Sequence, residues 1–258
     1  MDVKKYLERI NINTIQQASY SFLAQLQFNH LIAVPFENLD IRQGLKIDLD
    51  ERRFYEKIVQ RRRGGFCYEL NGLFHRLLAH LGFSVSIASG RVYSAADDRF
   101  DREFDHIALL VHLDKTFLVD VGFGDGFRKP IALPGGSVED VSGTYRIKPP
   151  QPGQEVYLLQ RRDTDKWQPV YSFTLDPRQL SDFSEMCTFN QTSPDSFFTR
   201  ETFCSVATEK GRVTLSADSL TITEGAHQKE MPVKSTEMFK RLLAEIFEIS
   251  IDAQLKLS

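Results

Sequence analysis

The sequence has 258 residues, with 32 Lys and Arg against 35 Asp and Glu and a formal net charge of -3 at pH 7. This length is enough for one large domain, or two to three modest ones, with a substantial buried core. The slight acidity gives no reason to expect a polyanionic partner. Composition therefore argues against nucleic-acid binding and fits an enzyme acting on small molecules.

The cysteine content and the N-terminus indicate the compartment. Cys67, Cys187 and Cys204 are too few and too widely spaced for a disulfide or zinc scaffold, so no metal site is predicted. The N-terminal segment MDVKKYLERI has no apolar signal core, and no run approaches the roughly 18 apolar residues that span a bilayer. The sequence predicts a cytoplasmic protein without a membrane partner.

The apolar pattern changes twice along the chain. Up to about residue 85 apolar residues recur mostly at helical spacing, and from about Val85 to Tyr171 short apolar runs between turn residues predict a small antiparallel barrel or sheet. The last third mixes strand candidates with a terminal helix. We therefore predict a helical domain at residues 1–85, a strand-rich domain at 86–188 and a mixed α/β segment at 189–258.

A strongly amphipathic helix pattern follows a glycine pair in residues 61–83, which read RRRGGFCYELNGLFHRLLAHLGF. One face of the predicted helix carries Leu70, Leu73, Phe74, Leu77, Leu78 and Leu81. Gly82 supplies a C-terminal stop. Cys67 lies three residues before this stripe, so we expect it in the first turn and on the side of the buried face.

This position is the setting of a reactive thiol. The free amides and the macrodipole at a helix N-terminus favour a thiolate, and Gly64 and Gly65 let another backbone or a substrate approach closely. The alternative is a buried structural cysteine, which is the usual role of an intracellular cysteine. We assign that role to Cys187 and Cys204, whose surroundings lack these features.

A thiolate nucleophile needs a base, and several histidines are poor candidates for it. His75 and His80 lie on the same predicted helix but off its apolar stripe, so they are expected to be solvated. His30 and His227 lie in polar sequence surroundings that offer no partner.

His106 is the better candidate because it opens the apolar strand HIALLVHL, and the next strand, TFLVDVGF, carries Asp120. A carboxylate inside an apolar strand is costly unless it is paired. A three-residue loop at 113–115 would put Ala108 opposite Asp120 and His106 diagonally beside it on the same face. A two-residue turn would put Asp120 on the other face, so the register stays open, as does a plain strand-end histidine with an edge aspartate.

Four segments of the chain together carry a family resemblance. The segments VPFENLD, RRGGFCYELNGLF, HIALLV and LVDVGFG resemble, in this order, those of arylamine N-acetyltransferases, and the later NQTSPDSFF resembles that family's C-terminal pattern. The resemblance implies an α+β fold with an N-terminal helical bundle, a central antiparallel β-barrel and a C-terminal α/β lid, built on a papain-like or transglutaminase-like cysteine core. It also implies that Cys67, His106 and Asp120 form a catalytic triad.

The implied reaction is acetyl transfer by a ping-pong mechanism. The Cys67 thiolate would take the acetyl group from acetyl-CoA, a cosubstrate rather than a tightly bound cofactor, and pass it to the nitrogen of an aromatic amine or hydrazine. An amide synthase or a thiol hydrolase could use the same three residues on another acyl substrate. A non-catalytic binding protein that keeps the fold is a further alternative, and the sequence predicts no oligomeric state.

The resemblance also suggests substrate contacts. Phe36 and Phe123 match positions that line the acceptor pocket in the family, where an aromatic acceptor would stack, although either could be a core residue. Glu37 and Arg63 match a buried structural ion pair near the nucleophile.

Three glycines, Gly122, Gly124 and Gly126, follow the strand that carries Asp120. The sequence Arg-Lys-Pro at 128–130 prevents a helix from starting there, so this is no dinucleotide fingerprint. Successive loop amides could instead form an anion nest for the coenzyme A pyrophosphate, assisted by residue 128 or 129, and a plain glycine turn is the alternative.

Overall fold

The first part of the chain is mostly helical, as predicted. The computed structural model describes residues 1–163 and 165–251. The helices are α1 (Val3–Arg9), α2 (Tyr20–Ala33), α3 (Leu39–Arg42), α4 (Glu51–Tyr55), which continues into a π-helical turn at Glu56–Gln60, and α5 (Cys67–His80). The predicted stripe is buried as far as Leu78, whereas Leu81 follows α5 and is half-buried. Gly82 follows at φ +85°, a conformation that favours glycine.

The central part forms an antiparallel sheet that curls into a nearly closed barrel. Its strands are β2 (Ser84–Ser94), β3 (Arg99–Phe100), β4 (His106–His112), β5 (Thr116–Val119), β6 (Ile131–Leu133), β7 (Ser137–Asp140), β8 (Gly143–Lys148), β9 (Tyr157–Asp163) and β10 (Lys166–Phe173). The order is β6-β5-β4-β2-β10-β9-β8-β7, with β3 against β2. Side chains such as Leu110, Leu118 and Tyr145 fill the interior. The predicted α+β fold with a central barrel is confirmed.

The C-terminal part combines helices with a second sheet. A 3-10 turn at Leu180–Phe183 leads into α6 (Ser184–Thr192) and α7 (Phe197–Arg200), followed by β11 (Phe203–Thr208), β12 (Gly211–Ser216), β13 (Ser219–Glu224), β14 (His227–Pro232) and α8 (Thr236–Phe247). The short strand β1 (Phe36–Glu37) pairs with β11, so the helical part contributes a strand to this sheet. The predicted domain boundary after residue 188 falls inside α6. No described helix has the length and hydropathy of a membrane span.

The hairpin of β4 and β5 decides whether the predicted histidine and aspartate meet. His112 pairs with Thr116 and Leu109 pairs with Val119, so the loop between the strands has three residues. Continued by one step, this register puts Ala108 opposite Asp120 and brings Asp120 to the face of His106. The three-residue alternative is therefore confirmed.

His30 lies in the helical core, so the prediction of polar surroundings is wrong. Its ring packs against Tyr6 and Phe74, with ring centroids 6.0 and 5.2 Å away, and neither ring nitrogen has a hydrogen-bond partner among the described residues. Burial, reinforced by the nearby charge of Arg9, lowers the pKa of His30 from 6.5 to about 3. His75 is likewise half-buried rather than solvated.

The depressed pKa of His30 predicts a loss of stability in acid. Between pH 6.5 and about 3 the unfolded chain binds a proton at His30 that the folded chain does not, so the free energy of unfolding falls as the pH drops through this window. His30→Phe removes this term. Its stability relative to wild type should rise by about 1.4 kcal/mol per pH unit of acidification, measured by urea unfolding. The exposed His80→Phe should follow the wild-type profile, and parallel profiles for His30→Phe would contradict the assignment.

Candidate active site

Cys67 is the first residue of α5, as the sequence predicts. It is 3% exposed, and its Sγ lies 4.0 Å from the carbonyl oxygen of Asp105. The helix start is capped from within, because the backbone N–H of Phe66 donates to Oε2 of Glu69 at 3.2 Å. Cys187 and Cys204 are also buried, but they do not line the cavity described below, whereas Cys67 does.

A buried cluster of charged side chains contacts the start of α5. The Nζ of Lys57 lies 3.0 Å from Glu69 and 2.9 Å from Asp40. Arg63 donates to Glu37 and to Asp40, both at 2.8 Å. The ion pair of Glu37 with Arg63 that the resemblance implies is therefore present. Burial raises the pKa of Glu69 to about 7 against the pull of Lys57.

His106 and Asp120 meet in the barrel wall. Nε2 of His106 lies 2.7 Å from Oδ2 of Asp120, and both side chains are almost completely buried. Oδ2 also accepts from the hydroxyl of Tyr171 at 3.1 Å, while Oδ1 accepts from Nδ2 of Asn71 and from the N–H of Gly122, both at 2.8 Å. Four donors offset the cost of burying this carboxylate and fix its orientation.

The imidazole of His106 is held in one orientation. Its ring packs against both Phe123 and Tyr171, with centroids 5.2 and 5.1 Å away. Because Nε2 faces the carboxylate of Asp120, we assign the proton of the neutral ring to Nε2 and the basic lone pair to Nδ1. A ring in this state can accept a proton at Nδ1 and share the resulting charge with Asp120.

Sequence reasoning missed Asn71 and Tyr171. The side chain of Asn71 donates to Asp120 and to the carbonyl of Ile107 (2.7 Å) and accepts from the N–H of Val121 (3.0 Å), so it joins α5 to the barrel. The sequence did contain a signal for Asn71, because a residue one helical turn after Cys67 lies on the same helix face as Cys67. Tyr171 has no local signal, since its contact with Asp120 spans 51 residues.

The surroundings of the thiol disfavour an isolated thiolate. Burial raises the pKa of Cys67 well above its ordinary value, and the carboxylates of Asp105 and Asp120 raise it further, against a hydrogen bond from the backbone of Ile107. The pKa of Cys67 is therefore raised and not lowered, contrary to the sequence-based expectation. A thiolate here needs a cation beside it, and protonated His106 is the cation that the site can supply.

A cavity of about 610 Å³ gives access to these groups. Cys67, His106 and Gly122 line it together with Phe36 and Phe123, the two predicted acceptor contacts. The sequence therefore identifies two aromatic side chains that border the same space as the thiol.

The glycine loop after Asp120 is only partly available to a ligand. The N–H of Gly122 is engaged by Asp120, and a Cβ there would lie 2.9 Å from Cα of Cys67, so this glycine permits close packing on α5. Gly124, at φ +77°, packs against the ring of Phe36. No group of three His, Cys, Asp or Glu in the described ranges could hold a metal ion.

Arg128, which the sequence suggested as a phosphate contact, is buried. Its guanidinium donates to the hydroxyl of Ser142 at 2.6 Å and to the carbonyls of Thr208 and Gly211. These bonds connect the loop after Asp120 to the second sheet, so this arginine is not available to an anion. Lys129 is exposed.

Comparison with known proteins gives consistent matches. A family model described as N-acetyltransferase matches residues 20–256. Human arylamine N-acetyltransferase 1 is 31% identical over 99% of this chain and 96% of its own length. A Bacillus cereus arylamine N-acetyltransferase described as having a unique Cys-His-Glu catalytic triad superposes with a TM-score of 0.89 at 28% identity, over 97% of this chain and 100% of that one. The Mycobacterium marinum arylamine N-acetyltransferase in complex with CoA has a TM-score of 0.87 at 31% identity, over 96% and 93%.

Removing the imidazole tests whether the thiolate depends on it. In His106→Gln we expect iodoacetamide to alkylate Cys67 about a hundredfold more slowly at neutral pH. The rate should recover only above pH 9.0, the ordinary value for a thiol, because burial raises the pKa of Cys67. Peptide mapping of labelled Cys67 against pH measures this, and Cys67→Ala gives the background from the other thiols. Identical profiles in wild type and His106→Gln would refute the dependence.

Proposed function

Because the chain belongs to the arylamine N-acetyltransferase family, we propose that it transfers an acetyl group from acetyl-CoA to aromatic amines or hydrazines through a thioester on Cys67. The observation that carries the proposal is that the thiol and the imidazole bonded to Asp120 line one cavity. The CoA complex of the Mycobacterium marinum relative supports acetyl-CoA as the donor.

In the first half-reaction the proton of Cys67 moves to Nδ1 of His106. The thiolate attacks the carbonyl carbon of the acetyl thioester, the bond from that carbon to the coenzyme A sulfur breaks, and the leaving sulfur takes the proton from His106. One thioester replaces another, so the exchange is nearly isoenergetic. Asp120 fixes the imidazole tautomer and stabilises the imidazolium while it exists.

In the second half-reaction the amine nitrogen attacks the acetyl carbon on Cys67. The bond from carbon to Sγ breaks, the amine loses a proton to His106, and Cys67 is regenerated with that proton. The rings of Phe36 and Phe123 border the space in which an aromatic acceptor would lie, which supports their role in acceptor binding.

We also propose roles for the loop after Asp120 and for the C-terminal segment. Because the N–H of Gly122 is already bonded to Asp120, the loop beyond it, with Gly124 and Gly126, is the part we propose to contact coenzyme A. Ser196, which precedes α7, and Arg200, the last residue of α7, also line the cavity. This supports a lid role for the predicted segment 189–258.

Acetyl-CoA alone should acetylate the protein once, at Cys67. Intact mass should show one added acetyl group, and peptide mapping should locate it. Cys67→Ala should carry none, whereas Cys187→Ala and Cys204→Ala should be acetylated like wild type, because those thiols lie outside the cavity. An aromatic amine should then remove the group as its acetamide. Rapid release of free acetate without an amine would indicate a thiol hydrolase instead.

Phe123→Ala should separate acceptor binding from acetylation of the enzyme. Stacking serves the aromatic ring of the acceptor and not the acetyl thioester, so transfer to an arylamine should fall by about tenfold more than formation of the acetyl-enzyme. Single-turnover rates of the two half-reactions in the same variant provide the measurement and its control. Equal losses in both would mean that Phe123 acts only by supporting the ring of His106.

A further inference from the structure

Asp105 is a charged residue beside the nucleophile that the mechanism does not use. It precedes β4, lines the cavity with Cys67 and His106, and its carbonyl oxygen lies 4.0 Å from Sγ of Cys67. Its carboxylate accepts from Nδ2 of Asn190 at 3.3 Å. Asp105 therefore brings a carboxylate to the cavity that Cys67 also lines, and the steps proposed above give that carboxylate no role.

The charges around the cavity are unevenly distributed. Its charged residues are Asp97, Arg99, Asp101, Arg102, Asp105, Asp195 and Arg200. Asp101 and Asp105 are half-buried, whereas the three arginines are exposed, as are the other two aspartates. Negative charge is therefore concentrated on the inner side of the cavity, and the arginines lie toward the solvent.

The charge of Asp105 acts at the position of the reaction. After burial itself, the carboxylate of Asp105 is the largest cause of the raised pKa of Cys67. A field that disfavours a thiolate at Sγ must also disfavour other negative charge nearby. Solvent and salt screen a half-buried charge less than they screen an exposed one.

We propose that Asp105 selects acceptors by charge, so that aromatic amines bearing a carboxylate near the amino group are rejected in favour of neutral or cationic ones. This inference rests on the proposed acetyl transfer. The carboxylate of the acceptor must enter the cavity beside the half-buried carboxylates, whereas a carboxamide of the same shape meets no repulsion. The selection operates in the second half-reaction, after coenzyme A has left.

A structural role for Asp105 is the competing explanation. Asn190 donates to Asp105 and to the hydroxyl of Tyr68, and that hydroxyl also donates to the backbone carbonyl of Asp105 at 3.0 Å. Asp105 therefore helps to attach α6 to the barrel. Asp105→Asn removes the charge but keeps an oxygen acceptor for Asn190, and Asp105→Ala removes both.

The test uses two matched acceptors. Acetyl-enzyme is formed with acetyl-CoA, freed of coenzyme A and mixed with 3-aminobenzoate or 3-aminobenzamide, and loss of the acetyl group is followed. In Asp105→Asn the rate with 3-aminobenzoate should rise about tenfold, and the rate with 3-aminobenzamide should change less than about twofold. Asp195→Asn, at an exposed position of the same cavity, should change neither rate by more than about twofold.

Other results would overturn the inference. Equal changes with both acceptors, or wild-type rates in Asp105→Asn, would show that its charge does not discriminate. An effect confined to Asp105→Ala, accompanied by a lower unfolding midpoint, would show that Asp105 acts through Asn190 alone. If wild type forms no acetyl-enzyme, the proposed function itself fails, and that result is visible before any amine is added.

Discussion

The buried carboxylate of Asp120 is the constraint on which the rest of the structure depends. An ionisable group inside an apolar barrel wall is tolerated only when its oxygens are fully hydrogen-bonded. Its donors come from three other parts of the chain, Asn71 on α5, His106 on β4 and Tyr171 on β10, and from the adjacent Gly122. Satisfying one carboxylate therefore fixes the helix, the hairpin and strand β10 relative to one another.

Cys67 is held in place by two different kinds of interaction. The first is steric, because Gly122 packs so closely on Cys67 that a side chain at position 122 would collide with the backbone of α5. The second is electrostatic, because Lys57 and Arg63 neutralise most of the negative charge of the carboxylates that cap and surround the start of α5. Steric contact sets the distance to the barrel, and the ion pairs keep the first turn of α5 in place.

The same burial that orders the site also determines its chemistry. A thiol in this environment resists ionisation, so its reactivity depends on proton transfer to an imidazole that is itself oriented by Asp120. Because His106 and Asp120 are buried and Asp105 is half-buried, solvent screens the charge of that pair and the charge of Asp105 poorly. The proposed activation of the nucleophile and the proposed selection of acceptors then follow from one physical cause, the burial of ionisable side chains around Cys67.

Local patterns in the sequence determined much of this protein. The apolar stripe of α5 predicted that Cys67 lies at a helix start. The change from helical to alternating periodicity predicted the barrel, and Asp120 inside an apolar strand indicated that this carboxylate has a hydrogen-bonding partner. These features depend on residues within a few positions of one another, where periodicity follows directly from backbone geometry. The motif order was enough to indicate the family.

Only the tertiary structure decided the rest. The loop of β4 and β5 could have two or three residues, and a one-residue slip would have turned Asp120 away from His106. The core position of His30, the bond from Tyr171 and the burial of Arg128 depend on residues up to 83 positions away. Such contacts are selected by the packing and hydrogen bonding of the whole chain, and no window of neighbouring residues contains that information.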